Sequence, residues 1–178
     1  MTELTLTLEQ SQLEPFNDLF QRGFTVPAVT GCSLSSFLTE QMQIDPGYVK
    51  ERITTIFLDG DVVDSPEAAI IQDGSRIALS ASMPGVAGAT MRRGGAYSPM
   101  RRAITRATEA APAVAAGAAG TVLVKLFNLL LGELGKTFLA HGIVLEQREV
   151  MAILGGSCPG LNGLPPSEQV LLRVKFGA

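Results

Sequence analysis

Asp59-Gly60 stands between two apolar runs, Ile53-Thr-Thr-Ile-Phe-Leu before it and Val62-Val63 after it. Asp-Gly is favoured in two-residue hairpin turns because such turns hold their central residues at positive φ. The β-branched and aromatic residues ahead of it are strand formers, so the stretch predicts a hairpin. A second Asp-Gly at 73–74 opens onto Arg76-Ile-Ala-Leu-Ser-Ala, a further strand. Upstream, Leu4, Leu6 and Leu8 alternate with Thr5 and Thr7, the period of a half-buried strand. Residues 13–22 have the texture of a short helical turn. Phe24 to Val29 is an extended piece that Pro27 confines to an edge or a bulge. Ser33 is placed to cap a helix whose apolar face is Leu34, Phe37, Leu38 and Met42. These signals predict an α+β unit over residues 1–82, its helix covering one face of a small mixed sheet. Leu34, Phe37 and Leu38 are expected to pack on Leu6, Ile56, Leu58 and Leu79.

After Ala81 the texture changes. Residues 83–120 are rich in Gly and Ala and carry arginines without a strand pattern, which reads as a connector. Residues 121–178 form a smaller second α+β module. In it Val122 to Phe127 is a strand or the opening of a helix, and periodicity does not separate the two. Leu129 to Leu139 is helical, Ile143 to Leu145 a strand, Gln147 to Leu154 a short helix and Val170 to Phe176 a closing strand. No internal repeat is visible between the halves.

Charge is distributed in blocks. Residues 1–73 hold twelve acids against three bases, whereas residues 74–108 hold six arginines and no acid. Such asymmetry marks an arm that either folds back on the acidic part of its own chain or meets an acidic partner. Arg92, Arg93, Arg101 and Arg102 are the candidate partner-binding residues within it.

Composition removes several chemistries. One histidine and two cysteines do not make the usual four-ligand zinc site. Gly135-Lys136-Thr137 ends like a phosphate-binding loop, but Leu130 stands where that pattern requires its first glycine. His141 has no serine, cysteine or carboxylate in a recognised catalytic relationship to it. Cys32 and Cys158 lack a partner base. Absence of tryptophan, with only two tyrosines, leaves no stacking platform for single strands, and no nucleic-acid-binding pattern accompanies the arginines. The N-terminal segment has neither a basic nor an apolar leader region, and Ala110 to Val124 is too short to span a bilayer. The expectation is a cytoplasmic protein with reduced thiols, no membrane contact, no metal, no cofactor and no enzymatic activity of its own.

Three segments carry a resemblance: Ser33-Leu-Ser-Ser-Phe-Leu, Phe57-Leu-Asp-Gly-Asp-Val-Val-Asp, and Ile70-Ile-Gln-Asp-Gly-Ser-Arg-Ile-Ala-Leu-Ser. Together they make residues 1–82 similar to the ubiquitin-like β-grasp domains of the ThiS/MoaD sulfur-carrier family. That resemblance implies a β-grasp fold for this part and action through a protein partner, an adenylating enzyme in the carrier case. Family carriers end in Gly-Gly, whose carboxylate is adenylated and thiolated. Here the tail position reads Gly88-Ala89, and the diglycine Gly94-Gly95 follows Arg92-Arg93 with 83 residues still to come. Two readings stay open: a permanently fused binding or assembly module, or a carrier activated after cleavage at Gly95.

Overall fold

The computed structural model describes residues 1–82, 85–101, 117–156 and 158–177. Along the chain run β1 (Thr2–Leu8), α1 (Asn17–Arg22), β2 (Phe24–Thr30) and the helical turn α2 (Leu34–Ser36), which continues as a π turn over Phe37–Gln41. Then come α3 (Pro46–Glu51), β3 (Thr55–Leu58), β4 (Asp61–Val62), β5 (Arg76–Ser80) and α4 (Gly85–Met91). The remainder is β6 (Ala118–Phe127), α5 (Leu130–His141), β7 (Ile143–Glu146), α6 (Gln147–Ile153) and β8 (Gln169–Phe176). Among the described residues the strands make one mixed sheet in the order β1-β8-β7-β2-β6-β5-β3-β4. The pairs β1·β8 and β5·β6 are parallel and the others antiparallel. The chain is α+β, and among the described residues no helix is long and apolar enough to cross a membrane.

The Asp59-Gly60 turn forms with Asp59 at φ 54° and Gly60 at φ 96°, and β3 and β4 pair on either side of it. The ambiguous run at 122–127 is strand. It belongs to β6, which starts at Ala118 and lies between β2 and β5. Residues 1–82 and 121–178 therefore contribute alternately to a single sheet. Leu34, Phe37 and Leu38 are fully buried in one hydrophobic core with Ile56, Leu58 and Leu79. Leu6 packs against the same core from its rim: it sits on β1 at the far edge, beside Val174 of β8, and is half buried. Alternation reports that one face of a strand is covered and is silent about the neighbour.

Pro27 stands in a strand with partners on both sides, where the sequence suggests an edge or a bulge. The reason is local. β7 pairs with β2 only at Thr25↔Val144, so the ladder on that side has run out where the missing proline N–H would fall. Two residues on, the Gln41 side chain takes the place of a strand. Val29 N–H donates to Gln41 Oε1 at 2.8 Å, and Gln41 Nε2 donates to Val29 O at 2.9 Å.

Two crossovers share a plan that the sequence does not display. β1 leads through α1 to β2, and β6 leads through α5 to β7; the pairing directions make the strands of each couple run the same way. Each helix ends on a glycine, Gly23 at φ 114° and Gly142 at φ 111°, a backbone region closed to other residues. The two helices touch at Gly135, where an added Cβ would lie 2.4 Å from the Phe20 ring. Phe20 continues a ladder of rings to Phe24 and on to Phe138, with centroids 5.5 and 5.3 Å apart and both contacts edge-on.

A polar tie joins α3 to α5. Arg52, just beyond α3, donates to Glu133 through Nε at 3.0 Å and Nη2 at 2.5 Å, and the Tyr48 hydroxyl donates to the same carboxylate. Arg52, then Tyr48, hold the Glu133 carboxyl down to about 2. A lowered carboxyl stabilises the fold above its unfolded value of 4.5 and loses that contribution as pH falls towards 2. Glu133→Gln is therefore expected to lower the urea midpoint slightly at neutral pH, because the tie is solvent-exposed. The difference from wild type should close between pH 4.5 and 2; a difference that persists at the acid end would assign it to packing.

Candidate partner-binding arm

Residues 85–101 leave the sheet after β5 and pack on the end of the hairpin. Their exit is pinned on both sides. Asn128, in the left-handed region at φ 57°, donates to Ser80 Oγ at 2.9 Å and to Ser82 O. Thr54 Oγ donates to Ala81 O. α4, with the sequence Gly-Val-Ala-Gly-Ala-Thr-Met, buries only Gly88. Its small residues Gly88 and Ala89 line, with Thr54, Ala81 and Arg92, an open cleft of about 390 Å³.

Two of the predicted arginines face inward. The Arg93 guanidinium donates to Val49 O at 2.5 Å and to Ile53 O at 2.6 Å, carbonyls at the C-terminal end of α3. Cations are favoured at a helix C-terminus, where carbonyls lack partners. Burial lowers the pKa of Arg93, and its backbone N–H is fixed by Thr54 O at 2.8 Å. Arg101 ends the 3₁₀ turn Ser98–Arg101 and is 3% exposed. It grips Asp64 with both terminal nitrogens, at 2.9 and 2.6 Å, and also donates to Thr90 O at 2.7 Å and Arg92 O at 3.2 Å. A fork against a carboxylate is the strong form of this contact, and Arg101 accordingly holds the Asp64 carboxyl below its usual range. Within the described residues these two arginines fold back on the chain's own acidic part.

Arg92 is exposed and borders the cleft. Arg102 lies outside the described residues. Gly94 and Gly95 form a turn: Gly94 is at φ 59° with its N–H on Asp64 Oδ1 at 3.4 Å, and Gly95 N–H donates to Arg92 O at 3.2 Å. Asp64 thus gathers Gly94 and Arg101, residues 30 and 37 positions away. Sequence reasoning passed over Asp64, since a lone Asp after a hairpin carries no local mark of such a role. It also passed over Val86, Tyr97 and Met100, which the arm presents to solvent at 83%, 55% and 75% exposure. Exposed apolar side chains in a Gly-rich stretch were the available signal.

The other chemical candidates are structural in place. Lys136 lies on α5, donating to Gln10 Oε1 at 3.0 Å and standing over the Phe176 ring. His141 is the last helical residue, its carbonyl receiving Arg173 Nε at 3.3 Å. Burial pushes the Cys32 thiol up, and Cys158 is buried. Among the described residues no three His, Cys, Asp or Glu side chains cluster as a metal site would require. In comparison with known proteins, the chain matches no family model, no curated protein and no solved structure.

Proposed function

We propose that this chain is a non-enzymatic, ubiquitin-like binding protein that works in the cytoplasm by holding another protein through residues 85–101. One observation carries the reading: the arm is anchored from beneath by Arg93 and Arg101 while it displays Val86, Tyr97 and Met100 outward. Ordering a backbone costs about 1–2 kcal/mol per residue, and α4 and the turn after it bury little in return. Side chains held out on such a base serve a partner. The ubiquitin-like part is supported by the strand order β2-β6-β5-β3-β4, whose parallel central pair and helix after β2 match a β-grasp. Its first strand comes from residues 118–127 instead of the N-terminal segment.

The carrier reading needs a free carboxylate at Gly95. The turn there is fastened to Asp64, and the chain beyond it supplies β6 to the middle of the sheet; both favour a chain that stays whole. A photo-crosslinking residue placed at Tyr97 in cells is expected to yield one discrete adduct containing peptides of a different protein. Met100→Asp should abolish it, and the intact mass should remain that of the full chain. Failure to form an adduct would sink the arm as a binding surface, and a species ending at Gly95 would restore the carrier.

A further inference from the structure

The two outer strands of the sheet are treated differently by the fold. β4 is two residues long, and a short edge offers little to pair with. β1 is seven residues long, contains no Pro or Lys, and holds register with β8 along its whole length. Among the described residues no strand pairs with its outer side. Gly177 N–H donates to Leu8 O at 2.9 Å, which fixes the even residues of β1 as those bonded towards β8. By alternation the N–H and C=O groups of Glu3, Thr5 and Thr7 point out of the sheet.

We propose that two copies of the chain pair antiparallel through β1, about a dyad at Thr5, to make one continuous sheet. In that register Thr5 faces Thr5 of the second copy, and Glu3 faces its Thr7. Every outward N–H and C=O of these residues then finds a partner. Leu4 falls opposite Leu6 in the non-hydrogen-bonded positions, where Cα atoms approach to about 4.5 Å and side chains touch most closely. Leu4, Leu6 and Leu8 are each half buried in one copy, so pairing completes their cover.

Charge agrees with the same register. Glu3 is the only charged residue in β1. Opposite Thr7 it stands two strands from Lys175, which pairs with Thr7 on the same face. Within its own chain Glu3 already receives Arg173 Nη1 at 3.2 Å; Lys175 of the second copy, about 10 Å away by strand spacing, adds a second cation on the carboxylate's other side. A slip of two residues one way would set Glu3 against Glu9 of the second copy, and a slip the other way would leave Thr7 outside the ladder. The pairing is independent of the arm, which lies near the opposite edge of the sheet.

Sedimentation of the full chain tests the proposal, with the expected species at twice 18.8 kDa. Thr5 is exposed, so Thr5→Lys and Thr5→Glu leave the fold intact, as circular dichroism would verify. Each variant alone sets like charges at the dyad and should sediment as a monomer. Mixing the two should restore the dimer, since unlike charges then meet. A wild-type monomer at every concentration would overturn the proposal, including the case in which β1 receives a strand from a different protein. A dimer that survives Thr5→Lys would also overturn it, by placing the interface elsewhere.

Discussion

Phe24→Ala is expected to remove about 3–5 kcal/mol of stability, the usual range for deleting a buried aromatic ring. Phe24 is 1% exposed and stands edge-on between Phe20 and Phe138. Each such ring pair adds about 0.5–1.5 kcal/mol beyond the area it covers. Phe20 belongs to α1 and Phe138 to α5, so the ring also clamps together segments more than a hundred residues apart. Phe37, fully buried near β2, offers the companion measurement: Phe37→Ala should lose a similar amount. Both changes should lower one and the same urea transition, because the strands of residues 1–82 and 121–178 alternate in a shared sheet. Two transitions, each moved by only one of the substitutions, would show the halves folding separately.

The second large effect is local. Asp64→Ala leaves the Arg101 guanidinium, with 1% of its side chain exposed, without its forked partner. Breaking a buried ion pair from one side costs about 3–5 kcal/mol. Water reaches Asp64, which is 39% exposed, and reduces the expected loss to about 2–3 kcal/mol. The loss should fall on residues 85–101 and leave the sheet alone. Amide exchange across the arm should accelerate roughly thirty- to hundredfold, since about 1.4 kcal/mol is a factor of ten, with β2 and β6 unchanged. Replacing Arg101 by Met as well removes the charge that has lost Asp64 and should recover much of the protection. Unchanged exchange in the single variant would mean that the other contacts of Arg101, the Thr90 and Arg92 carbonyls among them, suffice to hold it.

Local pattern carried most of the elements. The Asp59-Gly60 hairpin, the capped helix after Ser33 and the strand at Leu4, Leu6 and Leu8 were all legible, because turn chemistry and periodicity act over a few residues. Neighbours were not. Nothing in the leucine alternation says that β1 pairs with β8, and nothing in Val122 to Phe127 says that it enters the sheet between β2 and β5. The same limit governs the arm. Its positive charge is plain in the sequence, whereas the use of Arg93 on the end of α3 and of Arg101 on Asp64 depends on contacts 37 or more residues away along the chain. A charge block states what a segment carries, and the fold decides how much of it is presented.

The place of β6 has a consequence for the order of events during synthesis. β2 and β5 leave the ribosome with an empty lane between them, and the strand that fills it is completed only at Phe127, 47 residues after β5 ends at Ser80. Until then the inner faces of Val26, Ile77 and Leu79 have no middle strand to close against. Contacts this distant make folding slow and leave unpaired strands exposed in the interim. A nascent chain halted near residue 82 would carry nearly every local signal for a fold and still be unable to close its sheet.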